Sequence, residues 1–175
     1  MIKVAFHTLG CKLNYAETST IASLFDKTFY EEVDFSKPAD IYVINTCSVT
    51  EQANKKCRQA IQKAIRNSPG ATVVVVGCFA QLKAKEIAEM PGVSLVLGTK
   101  EKFNIIKYLE TNTSPEPEQK IHSCEIDEVT EYAGSFSVEG RTRSFLKVQD
   151  GCDYNCSYCT IPLARGKSRN PSVKQ

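Results

Sequence analysis

The chain has 175 residues, 42% of them hydrophobic and 24% charged, enough apolar material for one ordinary domain of about 100–200 residues, with or without a stub of a second. That composition excludes a wholly disordered chain, and no apolar run approaches the roughly 18–20 residues of a membrane span. The formal charge of +2, from 22 basic and 20 acidic residues, is too even to mark a dedicated DNA binder.

Met1-Ile2-Lys3-Val4 lacks the charged and apolar regions of a secretory signal, so the expected location is the cytoplasm. In that reducing compartment, eight cysteines point to metal ligands or catalytic thiols rather than to disulfides.

Ile2–His7 is apolar and β-prone, and a helical stretch over Tyr15–Lys27 follows it. A second β-prone run, Ile41–Asn45, precedes a long helical pattern over Thr50–Asn67. There Ala53, Cys57, Ala60, Ile61, Ala64 and Ile65 share one face at 3.6-residue spacing. Ser68-Pro69-Gly70 stops that helix. The unbroken valines of Ala71–Gly77 predict a strand covered on both faces. A helix over Ala80–Glu89, a strand over Val93–Leu97 and a helix over Lys100–Leu109 complete the series. Strands alternating with helices imply βαβ units and a parallel sheet with right-handed crossovers. The expected fold is therefore α/β, a Rossmann- or flavodoxin-like three-layer domain over residues 1–109.

From Glu110 to Gly140 the character changes. Thr-Asn-Thr-Ser-Pro-Glu-Pro-Glu is linker chemistry, and seven acids face one lysine between Glu110 and Glu131. A solvated acidic connector over 110–140 is the expectation. Arg143–Val148 then reads as a strand leading into a cysteine-rich loop. A basic tail follows, with Arg165, Lys167, Arg169 and Lys174 and no acid.

Cys11, Cys47 and Cys78 are 36 and 31 residues apart, so no local motif joins them. Each follows a predicted strand, however, and parallel strands open their carboxyl ends onto one crevice where ligands bind. Three thiols distant in sequence would converge there. Gly10 and Gly77 precede two of them and allow a metal centre close to the backbone. Structural zinc favours four ligands, often as close cysteine pairs, whereas three thiolates suit an iron–sulfur cluster with one iron left open. Cys57 belongs to the apolar face of its helix as a packed thiol, and Cys124 has no evident partner.

Gly151-Cys152-Asp153-Tyr154-Asn155-Cys156-Ser157-Tyr158-Cys159 carries the densest signal. Three cysteines within eight residues let one loop wrap a cube of iron and sulfide, leaving the fourth iron without a protein ligand. A zinc knuckle would need a fourth ligand nearby, and no later histidine or cysteine provides it. Cys-x3-Cys-x2-Cys after a strand, with the aromatic Tyr158 just before the last cysteine, resembles the radical S-adenosylmethionine superfamily. That resemblance implies an open iron that binds the amino and carboxylate groups of S-adenosyl-L-methionine. It also implies reductive cleavage of the sulfonium to a 5′-deoxyadenosyl radical.

Further motifs narrow the resemblance. Thr8-Leu9-Gly10-Cys11-Lys12-Leu13-Asn14, Ile44-Asn45-Thr46-Cys47-Ser48-Val49-Thr50 and Gly77-Cys78-Phe79-Ala80-Gln81 resemble the amino-terminal domain of the methylthiotransferases. Gln149-Asp150-Gly151 through Ile161-Pro162-Leu163-Ala164-Arg165-Gly166 resembles the start of their radical domain. The resemblance implies two 4Fe-4S clusters, one on Cys152, Cys156 and Cys159 and one on Cys11, Cys47 and Cys78. The second takes part in supplying a methylthio group to a carbon from which the radical has taken hydrogen. Residues 141–175 then read as the beginning of a (β/α) barrel cut short, because a complete one needs roughly 200 residues or more.

The motifs at Cys11 and Cys47, with Lys55-Lys56-Cys57-Arg58-Gln59-Ala60-Ile61, look most like the branch acting on N6-threonylcarbamoyladenosine beside the tRNA anticodon. Tyr15-Ala16 departs from the Gln-Tyr common there, and Cys57 from the usual serine. Other branches of the family act on isopentenyladenosine in tRNA or on an aspartate of a ribosomal protein. The implied partners are tRNA and an electron donor such as flavodoxin or ferredoxin, with no membrane. Lys55, Lys56, Arg58, Lys63 and Arg66 form either a solvated helix face or a set of phosphate contacts. A non-enzymatic iron–sulfur or zinc module that binds RNA is the reading from another class.

Overall fold

The computed structural model describes residues 1–111, 120–137 and 143–172. The Thr-Ser-Pro-Glu-Pro-Glu stretch of the expected linker, Arg141 and Lys174 lie outside the described residues. Six strands form one all-parallel sheet in the order β2-β1-β3-β4-β5-β6. They are β1 (Ile2–Thr8), β2 (Tyr30–Val33), β3 (Ile41–Thr46), β4 (Thr72–Gly77), β5 (Val93–Leu97) and β6 (Ile121–His122). Between them run helices α1 (Lys12–Ser23), α2 (Glu51–Asn67), α3 (Cys78–Leu82), α4 (Ala84–Ala88) and α5 (Ile105–Thr111), and α6 (Ile161–Arg165) comes last. A single turn of 3-10 helix, Glu101–Asn104, leads into α5.

The valine run of β4 is central because both its faces are apolar. Val73 and Val75 join Tyr42, Ile44, Ile61 and Phe79 in one core, while Val74 and Val76 join Val43, Ile21 and Leu95 in the other. The helix α2 presents Cys57, Ala60, Ile61 and Ala64 to the first core, as its periodicity predicts. Thr50 caps it by accepting the Ala53 amide at 3.1 Å. Helices α1 and α5 cover the opposite face through Ile21 and Ile105. A register shift between Val73 and Val74 lets β5 pair with β4. At that shift the Val73 amide donates to the Ser94 hydroxyl at 3.1 Å.

Several expectations change in detail. Tyr30–Val33 is an edge strand carrying Glu31 and Glu32 outward, so its sequence shows no apolar run. Helix α1 spans Lys12–Ser23 rather than Tyr15–Lys27. The helix expected at Ala80–Glu89 is two short ones meeting at Lys83. The later part of the acidic segment is built into the fold. Ile121–His122 extends the sheet, the His122 ring stacks on Tyr108 at 4.3 Å, and Val129 is buried. Arg143–Val148 is not a strand of the sheet; it forms a short antiparallel ladder with residues 135–137. Nor is the basic tail a free one. Asp150 and Arg169 exchange both backbone hydrogen bonds, at 2.9 and 2.7 Å, and α6 packs against α3.

Candidate functional site

The strand order places a topological switch point between β1 and β3. The connections from those two strands run to opposite faces of the sheet and open a crevice at its carboxyl edge. Cys11 follows β1, Cys47 follows β3 and Cys78 follows β4, so the three thiols stand at the ends of three adjacent strands. Gly10 has φ +107°, and a Cβ there would lie 2.6 Å from Cys47 Cβ and 2.9 Å from its sulfur. Only glycine lets the Cys11 turn come down against Cys47 in this way. Gly77 has φ +97° immediately before Cys78, with Asn45 and Thr46 where a side chain would go.

Asn14 ties these turns together. Its amide donates to the carbonyls of Leu9 and Thr46, at 2.9 and 3.0 Å, and its oxygen accepts from the Cys11 thiol at 3.5 Å. The same oxygen accepts a 2.7 Å hydrogen bond from Arg165, whose guanidinium also faces the Cys78 thiol. Burial pushes the Cys78 thiol up, and Arg165 and Lys102 pull it back toward the thiolate. Cys57 reaches the same neighbourhood from α2, donating to the Cys47 carbonyl at 3.3 Å. Its burial pushes it up to about 11, which keeps it a thiol.

The Cys152–Cys159 loop arrives at this edge. Its first amide donates to the Gly166 carbonyl at 3.0 Å, and the Cys159 amide closes a turn on Cys156 at 3.1 Å. Thr160 then hydrogen-bonds the Ser48 carbonyl, beside Cys47, at 3.2 Å. Cys156 is exposed, Cys152 and Cys159 are half-buried, and the Tyr158 ring is 89% exposed.

Beneath the crevice lies a group of charges that sequence reasoning missed. Glu17 is fully buried and accepts from Lys102 at 2.7 Å, Lys147 at 2.9 Å and Arg165 at 2.9 and 3.1 Å. Asp150 takes Lys147 at 2.7 Å, Arg165 at 2.8 Å and Arg169 at 3.5 Å. Burial alone would push the Glu17 carboxyl up, but Lys102, Arg165 and Lys147 together hold it well below the ordinary carboxylate range. The only advance signal was Glu17 itself, an acid at a core-facing position of α1, one turn before Ile21.

Of the basic α2 face, Arg58 is engaged within the molecule, with Glu51 at 3.0 Å and Glu86 at 2.7 Å. Lys55, Lys56 and Arg66 are exposed. Among the described residues no helix is long and apolar enough to cross a membrane.

Among the described residues no three His, Cys, Asp or Glu side chains converge on a single-ion site. The donor chemistry instead suits a larger thiolate-bound group. A cluster takes each thiolate on a different iron and needs no common point. Gly10 brings the Cys11 turn against the Cys47 side chain, where any Cβ would collide, and cations lie behind Cys78.

The chain is 42% identical, over its whole length, to threonylcarbamoyladenosine tRNA methylthiotransferase MtaB of Bacillus subtilis (strain 168), covering 40% of that protein. It is 32% identical to tRNA-2-methylthio-N(6)-dimethylallyladenosine synthase of Desulfotalea psychrophila (strain LSv54 / DSM 12343), over 95% of this chain and 39% of that one. The figures for ribosomal protein uS12 methylthiotransferase RimO of Prochlorococcus marinus (strain MIT 9312) are 31%, 98% and 38%. The chain thus spans about two fifths of the length of these relatives. A family model described as "Uncharacterized protein family UPF0004" matches residues 3–98, which span the first five strands and all three strand-end cysteines, and the chain belongs to that family.

Proposed function

We propose that this chain is the amino-terminal part of a tRNA methylthiotransferase acting on N6-threonylcarbamoyladenosine beside the anticodon. Residues 1–109 form the domain that holds one 4Fe-4S cluster, on Cys11, Cys47 and Cys78. Residues 110–140 connect it to the opening of a radical S-adenosyl-L-methionine domain, 141–175, with the second cluster on Cys152, Cys156 and Cys159. The observation that supports the reading is the placement of Cys11, Cys47 and Cys78 after three adjacent strands, with the residue following Cys159 hydrogen-bonded beside Cys47 through Thr160 and Ser48. The substrate branch rests on identity, 42% to the threonylcarbamoyladenosine enzyme against 32% and 31% to the other two.

When bound, the clusters supply one-electron chemistry and a sulfur site to a cytoplasmic enzyme fed by a donor such as flavodoxin or ferredoxin. The chain's own residues set the geometry around them. Gly10 and Gly77 hold the Cys11 and Cys78 turns at the strand ends, and Asn14 fixes the first of these against the β3 turn. Thr160 seats the end of the Cys152–Cys159 loop on the β3 turn. The exposed Tyr158 ring offers an apolar flank beside Cys159 for S-adenosyl-L-methionine. Lys55, Lys56 and Arg66 offer cations to the phosphates of tRNA, whose anticodon-loop adenosine reaches a pocket without a duplex being melted.

Anaerobic reconstitution tests the cofactor assignment. The chain should load about eight irons, and Cys152→Ala/Cys156→Ala/Cys159→Ala should load about four, as two clusters and then one. Retention of all eight by the triple variant would refute the ligand sets. Loss of 2-methylthio-N6-threonylcarbamoyladenosine from the tRNA of a deletion strain, read by mass spectrometry, tests the substrate. Loss of a different methylthio-adenosine moves the chain to another branch.

A further inference from the structure

All six buried charged side chains among the described residues belong to the network beneath the crevice. Four are cations (Lys102, Lys147, Arg165, Arg169) and two are anions (Glu17, Asp150), a formal excess of two positive charges. Buried charges persist where they are paired, so an excess of one sign points to a countercharge of the other. The excess faces one functional group that supplies such a charge. Arg165 and Lys102 both lie near Cys78, and Arg165 also bonds the Asn14 oxygen that accepts from Cys11.

Arg165 also sits where it can join the two cysteine sets. It is the last residue of α6, six positions after Cys159, and the next carbonyl, of Gly166, accepts the Cys152 amide. Its guanidinium uses both ends of its fork. One nitrogen bonds Glu17 and Asp150, while the other bonds Glu17 and Asn14. The planar, always-charged guanidinium supports that spread of contacts; an ammonium supplies the charge alone.

Taking the two-cluster reading as its basis, we propose that Arg165 is a positioning residue for the strand-end cluster. Backed by Lys102, it supplies positive charge opposite the thiolates of Cys11, Cys47 and Cys78 and ties them to the Cys152–Cys159 loop. A nearby cation stabilises the reduced cluster, the more negative state, so its loss lowers the midpoint potential. Removing Arg165 still leaves Glu17 with Lys102 and Lys147, and Asp150 with Lys147 and Arg169. Arg165→Met therefore leaves both buried carboxylates paired.

The test uses the full chain carrying Cys152→Ala/Cys156→Ala/Cys159→Ala, so that one cluster titrates. Its one-electron reduction by dithionite is followed by electron paramagnetic resonance. Arg165→Met should shift the reduced-to-oxidised ratio at fixed potential at least about tenfold toward oxidised, about 59 mV for one electron. Lys102→Met should shift it in the same direction, and Arg165→Lys should restore most of the potential. Melting of the metal-free Arg165→Met protein reports any purely structural role. If that variant does not fold, Lys102→Met, which keeps the guanidinium, carries the potential measurement. An unchanged potential and spectrum in the folded variants, with iron loading intact, overturns the proposal. Failure of the parent to load any iron overturns the two-cluster reading itself, and the proposal with it.

Discussion

Replacing Glu17 by glutamine changes one atom in shape and one charge in a place that water does not reach. The carboxylate has no exposed surface and receives three cations, Lys102, Lys147 and Arg165, at 2.7–2.9 Å. An amide returns one acceptor and two unwanted donors, and the buried excess rises by one positive charge. Removing one partner of a buried ion pair costs about 3–5 kcal/mol, because the remaining charges stay buried and uncompensated. Against a total stability of roughly 5–15 kcal/mol, that is a large share. At about 2–4 °C per kcal/mol for a chain of this size, melting should fall by roughly 6–20 °C. The assay is urea and thermal unfolding of metal-free protein, followed by circular dichroism. The difference also has a pH signature. The native carboxyl titrates well below the roughly 4.3 of an unfolded glutamate, so its contribution is full above that pH. It disappears as pH falls toward the native value. Glu17→Gln/Lys102→Met, which restores the charge excess of the parent, should recover part of the loss. A Glu17→Gln protein within about 1 kcal/mol of the parent at neutral pH would refute the account of Glu17 as the hub.

Gly10→Ala should lower iron loading of the strand-end site and destabilise the fold by more than about 1 kcal/mol, since the new methyl meets Cys47 at a positive φ; normal loading, measured in the Cys152→Ala/Cys156→Ala/Cys159→Ala background, would contradict the cradle. Cys57→Ala should keep the full iron content and cost about 1–2 kcal/mol as a small core truncation. In the folded parent, Cys57 should resist iodoacetamide at neutral pH, because its thiol titrates near about 11, and peptide mapping reads both points.

How much of this was legible follows from the range of the interactions. The central strands announce themselves because Val73–Val76 and Ile41–Ile44 carry apolar side chains to both faces. A thiol directly after a strand in a parallel sheet has its position fixed by topology alone. That is why Cys11, Cys47 and Cys78 are placed without any contact being known. The edge strands were invisible for the complementary reason. Tyr30–Val33 is half solvated and holds two glutamates, and Ile121–His122 is two residues in an acidic stretch. The charge network was beyond reach because each member looks like a surface residue in its own window. Glu17 meets Arg165 across 148 positions and Lys147 across 130, and only the folded chain brings such partners together.

The network lies between the segments that carry the two cysteine sets. As a source of stability it is poor design, since well-packed apolar residues of similar volume commonly do as well or better than a buried ion group. Apolar packing, however, tolerates sliding, whereas a guanidinium held by two carboxylates and an asparagine has few alternative placements. Here the fixed placement joins α1, α6 and the segment of Lys147 and Asp150, and through Asn14 and Gly166 it reaches the backbone turns of Cys47 and Cys152. If the two cysteine sets hold the proposed clusters, they need a defined separation more than extra stability. Asp150 and Arg165 bracket the Cys152–Cys159 loop in sequence and meet at 2.8 Å beneath it. The loop is thereby closed at its base by charges of which Arg165 also bonds the Asn14 oxygen that accepts from the Cys11 thiol.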